Sequence, residues 1–270
     1  MIAPYYGLGL RNRTPVSARA QAADVGERFA MMREKNEQSA REPFKGITTN
    51  GEIVPGLFPI QRTGISTEPI RRAALALLDV LSPEQRQLAS FDLGSDMWRR
   101  WWNIHPFLMR HGVQLDHLAD HQREAALRLV ASALSAGGFG TARDVMRLNH
   151  TVGEITGSWT EYGEWVYFVS VFGTPSETEP WGWQIDGHHL IVNCFVLGDQ
   201  LSIAPMFLGS EPVVAETGVY KGVSVLQPEQ NDGLALVNAL RAEQRGDGRE
   251  EQGEEQVAER LHDYTIPFCA

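Results

Sequence analysis

The run Trp181-Gly182-Trp183-Gln184-Ile185-Asp186-Gly187-His188-His189 gathers two indoles, a carboxylate and two imidazoles within nine residues, just ahead of an apolar stretch. Aromatic walls carrying a few polar groups are the ordinary makings of a small-molecule pocket. On a regular strand from His188 to Leu197, His188 shares a face with Asp186, Leu190, Val192 and Cys194. His189 shares the other face with Ile191, Asn193 and Phe195. His188 with Asp186 is then a candidate acid/base pair, the carboxylate fixing the ring tautomer. His189 is the candidate ligand for a divalent or redox-active transition metal, and Asn193 a candidate substrate contact. Consecutive strand side chains point to opposite faces, so both histidines reach one metal only if Gly187 makes a bulge. The plainer alternative is a hydrogen-bonded core histidine at 188 and a surface one at 189.

Ser95 to Asn103 holds the densest aromatic cluster, Trp98, Trp101 and Trp102, which reads as core or pocket wall. Trp181, Trp183 and Trp98 are the candidate substrate-binding aromatics, and Arg99 suits stacking on an indole or binding a carboxylate. His105, His111, His117 and His121 form a second histidine group. The spacing of His117 and His121 suits one helical face, but no glutamate of the zinc-protease pattern follows His117, where Leu118 stands. The surrounding loop and cap signals favour a solvated face there. His150, at a helix end, suits the dipole. There is no nucleophile elbow, P-loop or dinucleotide fingerprint, and Gly137-Gly138-Phe139-Gly140 reads as a helix stop rather than a phosphate cradle.

The elements that position these residues follow from the apolar pattern. A helix is expected from Thr14 to about Ala40, and Asn50-Gly51 marks a turn between short strands. Thr67 and Pro69 open a helix through Leu81 on Ile70, Ala74, Leu77 and Leu78. Ser82-Pro83-Glu84-Gln85 is a capping box. Helices follow from Leu118 to Leu134 and from Thr141 to about Ile155. The pattern then turns to strands over Trp165–Phe172, His188–Leu197 and Leu201–Leu208, the last two joined by Gly198-Asp199. Pro205 makes the last strand an edge. A helix over Pro228–Leu240 closes the series. Helices first and a meander after them define an α+β fold, N-terminal helices packed on an antiparallel β-meander.

Residues 1–43 read as a helical extension and 44–240 as one α+β domain. Over 241–260, eleven of twenty residues are charged, so 241–270 reads as a charged, solvated tail. A chain of 270 residues with 43% hydrophobic and 21% charged residues buries a substantial core. The formal charge of −10 argues against nucleic acid or an anionic membrane as the main partner. No apolar run reaches the roughly 18 residues of a spanning helix, and no secretory signal opens the chain. Two cysteines, Cys194 and Cys269, make neither a disulfide framework nor a zinc finger, and the cytoplasm is the expected compartment. The partner expected is a small molecule; oligomeric state is not legible.

Several segments together resemble the domain-of-unknown-function 3500 family: Gly46-Ile47-Thr48-Thr49-Asn50-Gly51, Gly56-Leu57-Phe58, Trp98-Arg99-Arg100-Trp101-Trp102-Asn103, Leu134 to Phe139, Phe172 to Ser176, and Trp181 through Leu190. Pro205 to Pro212 continues the likeness, which spans Phe44 to Arg245. The resemblance implies a further C-terminal region with a His-x-His motif, whereas only His262 follows His189 here. A metal site completed by that motif would be held only in part by this chain. The function expected is a metal-dependent enzyme, hydrolytic or oxidative, acting on a small molecule. The alternative is a small-molecule-binding or structural domain without turnover.

Overall fold

The computed structural model describes residues 26–42, 52, 54–57, 59, 61–62, 64–104, 110–159 and 161–241, with side chains from residue 30. The described residues of Met1–Arg41 and Gly56–Val225 form one compact unit, and those of Glu42–Pro55 and Leu226–Ala270 a second. The expected start of the first helix, the Asn50-Gly51 turn, His105 and the charged tail lie outside the described residues.

Helix α1 spans Gly26–Arg41. Helix α2, Glu68–Val80, has Pro69 in its first turn and buries Ile70, Ala74 and Leu77, one face at helical spacing. Helix α3, Pro83–Ala89, begins at the expected capping box: Ser82 Oγ accepts from Gln85 N–H at 3.2 Å, and Gln85 Oε1 accepts from Ser82 N–H at 2.9 Å. Helix α4, Asp120–Ala133, lies against α2. Helix α5, Ala136–Thr156, corrects one expectation. Gly137 and Gly138 do not stop a helix; they begin one, with Ser135 Oγ accepting from Gly138 N–H at 3.0 Å. Ser135 is an N-cap, and that signal outranks the glycines.

Six strands form one mixed, mostly antiparallel sheet: β1 (Ser90–Phe91), β2 (Val113–Gln114), β3 (Tyr167–Phe172), β4 (Trp181–Gly187), β5 (Leu190–Leu197) and β6 (Gln200–Leu208). The order is β1-β3-β4-β5-β6, with β2 pairing on β3 beside β1. β1 alone runs parallel to its neighbour. Hence the fold is α+β with a meander from β3 to β6, as the sequence pattern predicts, and β6 carrying Pro205 is an edge. β4, for which the sequence pattern predicts no strand, occupies the sheet's centre. In the second unit, α6 (Gln227–Ala239) has no buried residue and exposes Leu234, Leu236 and Val237.

Period-2 alternation divides the sheet into two unlike faces. One carries Trp181, Trp183 and Ile185 of β4, Tyr167, Val169 and Val171 of β3, and Leu190, Val192 and Cys194 of β5. Both tryptophans are 0% exposed, and Tyr167 on this face meets Asn149 of α5. The opposite face carries a buried polar strip, Gln184 and Asp186 of β4, Ser170 of β3 and Asn193 of β5, among the apolar Phe168, Phe172, Ile191 and Phe195.

Candidate functional site

His188 and His189 are not strand residues. They are the two residues of the turn joining β4 to β5, with Gly187 paired to Leu190 across it. His189 has φ of +60° while His188 has no positive φ, the sign pattern of a type II turn, at a position that normally takes Gly or Asn. A histidine in this left-handed conformation costs about 1 kcal/mol and persists only where its surroundings enforce it. Here two hydrogen bonds do so: His189 N–H donates to Asn103 O at 2.6 Å, and Gly209 N–H donates to His189 O at 2.9 Å. The expectation of opposed side chains is therefore overturned. The two rings lie side by side, centroids 4.1 Å apart and planes tilted by 37°.

His188 is buried and held by α5. Asn149 donates through Nδ2 to Gly163 O at 2.9 Å, so its Oδ1, 2.9 Å from His188 Nδ1, accepts, and the ring carries its hydrogen on Nδ1. Tyr167 Oη donates to His188 O at 2.9 Å. Its ring lies across Gly187, where an added Cβ would stand 2.1 Å from Tyr167 Cδ1, so only glycine fits before the turn. Asp186 is not His188's partner, contrary to the expected pair. It lies on the polar face, where the electrostatic influence of His111 and the Trp102 backbone N–H both favour its ionised form.

Burial dominates the ionisation of both candidate groups. It pushes the His189 imidazole down to about 4, so the ring is neutral at pH 7, and Nδ1 is buried without a hydrogen-bond partner among the described residues. Burial pushes the Asp186 carboxyl up to about 7 against the lowering influence of His111 and the Trp102 N–H, and Oδ1 has no hydrogen-bond partner among the described residues. The Cys194 thiol, buried in β5, is pushed up to about 12, leaving a packed, unreactive sulfur.

The segment from Trp98 to Asn103 runs along β4 over the polar face. Trp98 O accepts from Gln184 Nε2 at 3.2 Å, Trp102 N–H meets Asp186, and Asn103 O takes the His189 N–H. Trp98 stacks on Phe172 at 3.8 Å and fills the space left by Gly182. Trp98 is thus a cover for the sheet, while Trp181 and Trp183 sit in the core of the other face rather than lining a shared pocket with it. Arg99 donates to Ser39 O of α1 at 3.1 Å, and Arg100 pairs with Glu37 through a 2.8 Å hydrogen bond. Asn193 belongs to a buried amide chain: it accepts from Gln184 Nε2 at 2.5 Å and donates to Pro205 O at 2.8 Å.

His117 and His121 do not share a helical face, because a 3-10 turn over Leu115–His117 ends before α4 starts at Asp120; both are exposed. His150 lies inside α5, between the rings of Trp159 and Tyr220, not at its end. A groove of about 750 Å³ lined by Ser90, Phe91, Asp92, Ser95 and Thr174 opens beyond the Phe172 end of β3. It lies roughly 17 Å from the histidine turn by the rise of the strand. Residues that sequence reasoning did not assign to the site are His111, Asn149, Tyr167 and Gln184. Among these only His111 carried a signal, as a histidine in a group.

An α+β protein with a clamped di-histidine turn at the head of a central hairpin is the class that fold and site define. Residues 63–262 match the family model described as Protein of unknown function (DUF3500), and the chain belongs to that family. The match runs beyond Arg245 and takes in most of the charged stretch. No curated protein and no solved structure matches the chain. Among the described residues no helix is long and apolar enough to cross a membrane.

Proposed function

We propose that the chain is a metal-dependent enzyme, hydrolytic or oxidative, acting on a small molecule in the cytoplasm, with His189 as a metal ligand and Asp186 as its acid/base group. One observation carries the reading: a strained, doubly clamped turn holds a neutral imidazole whose buried Nδ1 has no hydrogen-bond partner among the described residues. A neutral ring is the form that ligates metal, and clamping removes the ordering cost of binding. Strain at a turn that glycine would make without cost points to a side chain kept for its chemistry. The donor fits a transition metal that favours nitrogen. Among the described residues no group of three or more His, Cys, Asp or Glu could hold an ion, and in this reading His189 is one donor of a set completed by other groups. Such a metal would supply Lewis-acid or redox chemistry. Asp186, pushed up to about 7, is poised to give or take a proton at neutral pH.

Small-molecule recognition is supported by rings on either side of the turn. Tyr162 meets His188 edge-on at 5.1 Å, and Phe207, 39% exposed on β6, lies 6.1 Å from His189. Such a row suits a planar ligand. The experiment is elemental analysis of protein never exposed to an affinity-column metal. Transition metal near one per chain, lost in His189→Ala with a cooperative melt retained, is the expected result. Metal retained in that variant removes His189 as ligand.

A second reading, a binding or structural domain without turnover, is favoured by the closed Gln184–Asn193 chain and the core burial of Trp181 and Trp183. It predicts no bound metal and no turnover, with tryptophan fluorescence responding to a ligand.

A further inference from the structure

Among the described residues β1 and β3 are the one parallel pair, with Ser90 opposite Val171 and Phe91 opposite Phe172, so both chains leave the sheet at the same end. From there they part. The chain after β1 turns over the polar face, where Trp98 stacks on Phe172 and its Nε1–H donates to Leu93 O at 2.9 Å. The chain after β3 turns to the other face, where Ser176 O accepts from the Trp181 indole at 3.1 Å. Gly173, at φ +72°, closes the base of the fork, its N–H donating to Phe91 O at 2.8 Å. Parallel strands whose continuations diverge leave a crevice beyond their carboxyl ends, which is where open sheets with parallel strands take their ligands. Here the crevice is the groove of about 750 Å³, a volume ordinary for a small-molecule site.

The groove gathers hydrogen-bonding groups that the fold does not use. Among the described residues the side chains of Ser90, Asp92 and Thr174 make no hydrogen bond to protein, and Ser95 Oγ only accepts the Met97 N–H at 3.2 Å. That leaves three hydroxyl donors and one carboxylate acceptor around a single ring, Phe91, which is half-buried and stacked on Phe172 with centroids 5.5 Å apart. Asp92 in the lining and the formal charge of −10 disfavour an anionic ligand. A ring to lie under C–H groups, hydroxyls to donate and a carboxylate to accept from adjacent hydroxyls together match a polyhydroxylated molecule. We propose that the fork between β1 and β3 binds a neutral sugar of one or two rings, with Asp92 accepting from its hydroxyls, Ser95 and Thr174 donating, and Phe91 under its apolar face. The site is separate from the histidine turn and independent of any metal at His189.

The test is ¹H–¹⁵N NMR of the full chain titrated with glucose, galactose, mannose and maltose, with glucose 6-phosphate as a charged control. At least one neutral sugar is expected to give saturable shifts at the amides of Asp92 to Met97, Gly173 and Thr174. The Trp98 indole signal, assigned by its loss in Trp98→Phe, should move with them, because its bond to Leu93 O reports on the same loop. Asp92→Ala should weaken binding about tenfold and Thr174→Val about threefold. Both residues are exposed, so neither variant disturbs the core. No saturable shift with any of the four neutral sugars, tighter binding of glucose 6-phosphate, shifts centred on His189 and Gly209 instead, or unchanged affinity in both variants overturns the proposal. Absence of bound metal would strike the proposed function and leave this site standing.

Discussion

The two faces of β4 are built on opposite principles. Trp181, Trp183 and Ile185 point into a largely apolar core, whereas Gln184 and Asp186 point into a thin polar strip under the Trp98–Asn103 segment. Apolar burial on the first face supplies stability without direction. The second face costs desolvation at every polar atom and returns orientation, since each amide has one workable flip. The turn at His188 and His189 stands where the two faces meet, His188 fastened to Asn149 and Tyr167 from the apolar side and His189 to Asn103 from the polar side. Side chains held between a rigid core and a directional network are fixed in place by both.

Four substitutions would break or sharpen that contrast. Trp183→Ala, on the apolar face, should cost the most, about 4 kcal/mol by urea denaturation, through a cavity that β4 cannot close. Gln184→Leu fills similar space but leaves the His111 N–H, Asn193 Oδ1 and Trp98 O without their partner; about 3 kcal/mol is expected, and a loss under 1 kcal/mol would show that the polar layer is not held as described.

Asp186→Asn should stabilise, with a distinct pH signature. The folded carboxyl titrates near 7, above its unfolded range, so its contribution is fully present below about pH 4, is lost as pH rises toward 7 and is flat beyond. The variant should therefore gain about 4 kcal/mol over wild type at pH 8 and little at pH 4, as a difference in melting temperature measured across that range. A gain independent of pH would mean that the carboxyl is not titrating there.

His189→Asn should have the smallest effect on stability at pH 7.5, within about 1 kcal/mol, because asparagine accepts the left-handed backbone. Wild type, with its ring held neutral to about pH 4, should lose stability as pH falls from 6.5 toward 4, and the variant should lack that slope. Equal acid slopes in the two proteins would show that the ring is not buried neutral.

Much of the scaffold was legible because its signals are local. The Ile70, Ala74 and Leu77 stripe, the Ser82–Gln85 box, the Gly198-Asp199 hairpin and the edge position of Pro205 each depend on a few neighbouring residues. β1 and β2 are two residues long and exist only by pairing with β3, so no periodicity marks them. β4 escaped notice because it is buried on both faces and its polar residues suggested a site rather than a strand. Composition singles out Trp181 to His189 as a candidate segment, but the inner geometry of that segment is not legible in it. Nothing in a His-His pair announces a tight turn, since histidine is not a turn former, and the pairing of His111 with Gln184 spans 73 residues. Asn149 looked like one polar residue among many on a helix until Gly163 O and His188 fixed both ends of its amide.

The most direct measurement of the central claim is electron paramagnetic resonance of the full chain titrated with copper(II). The account predicts one site filling first, with nitrogen hyperfine coupling that disappears in His189→Ala and survives in a His117→Ala/His121→Ala double variant. Coupling unchanged in His189→Ala, or lost only with the two exposed histidines, would contradict it.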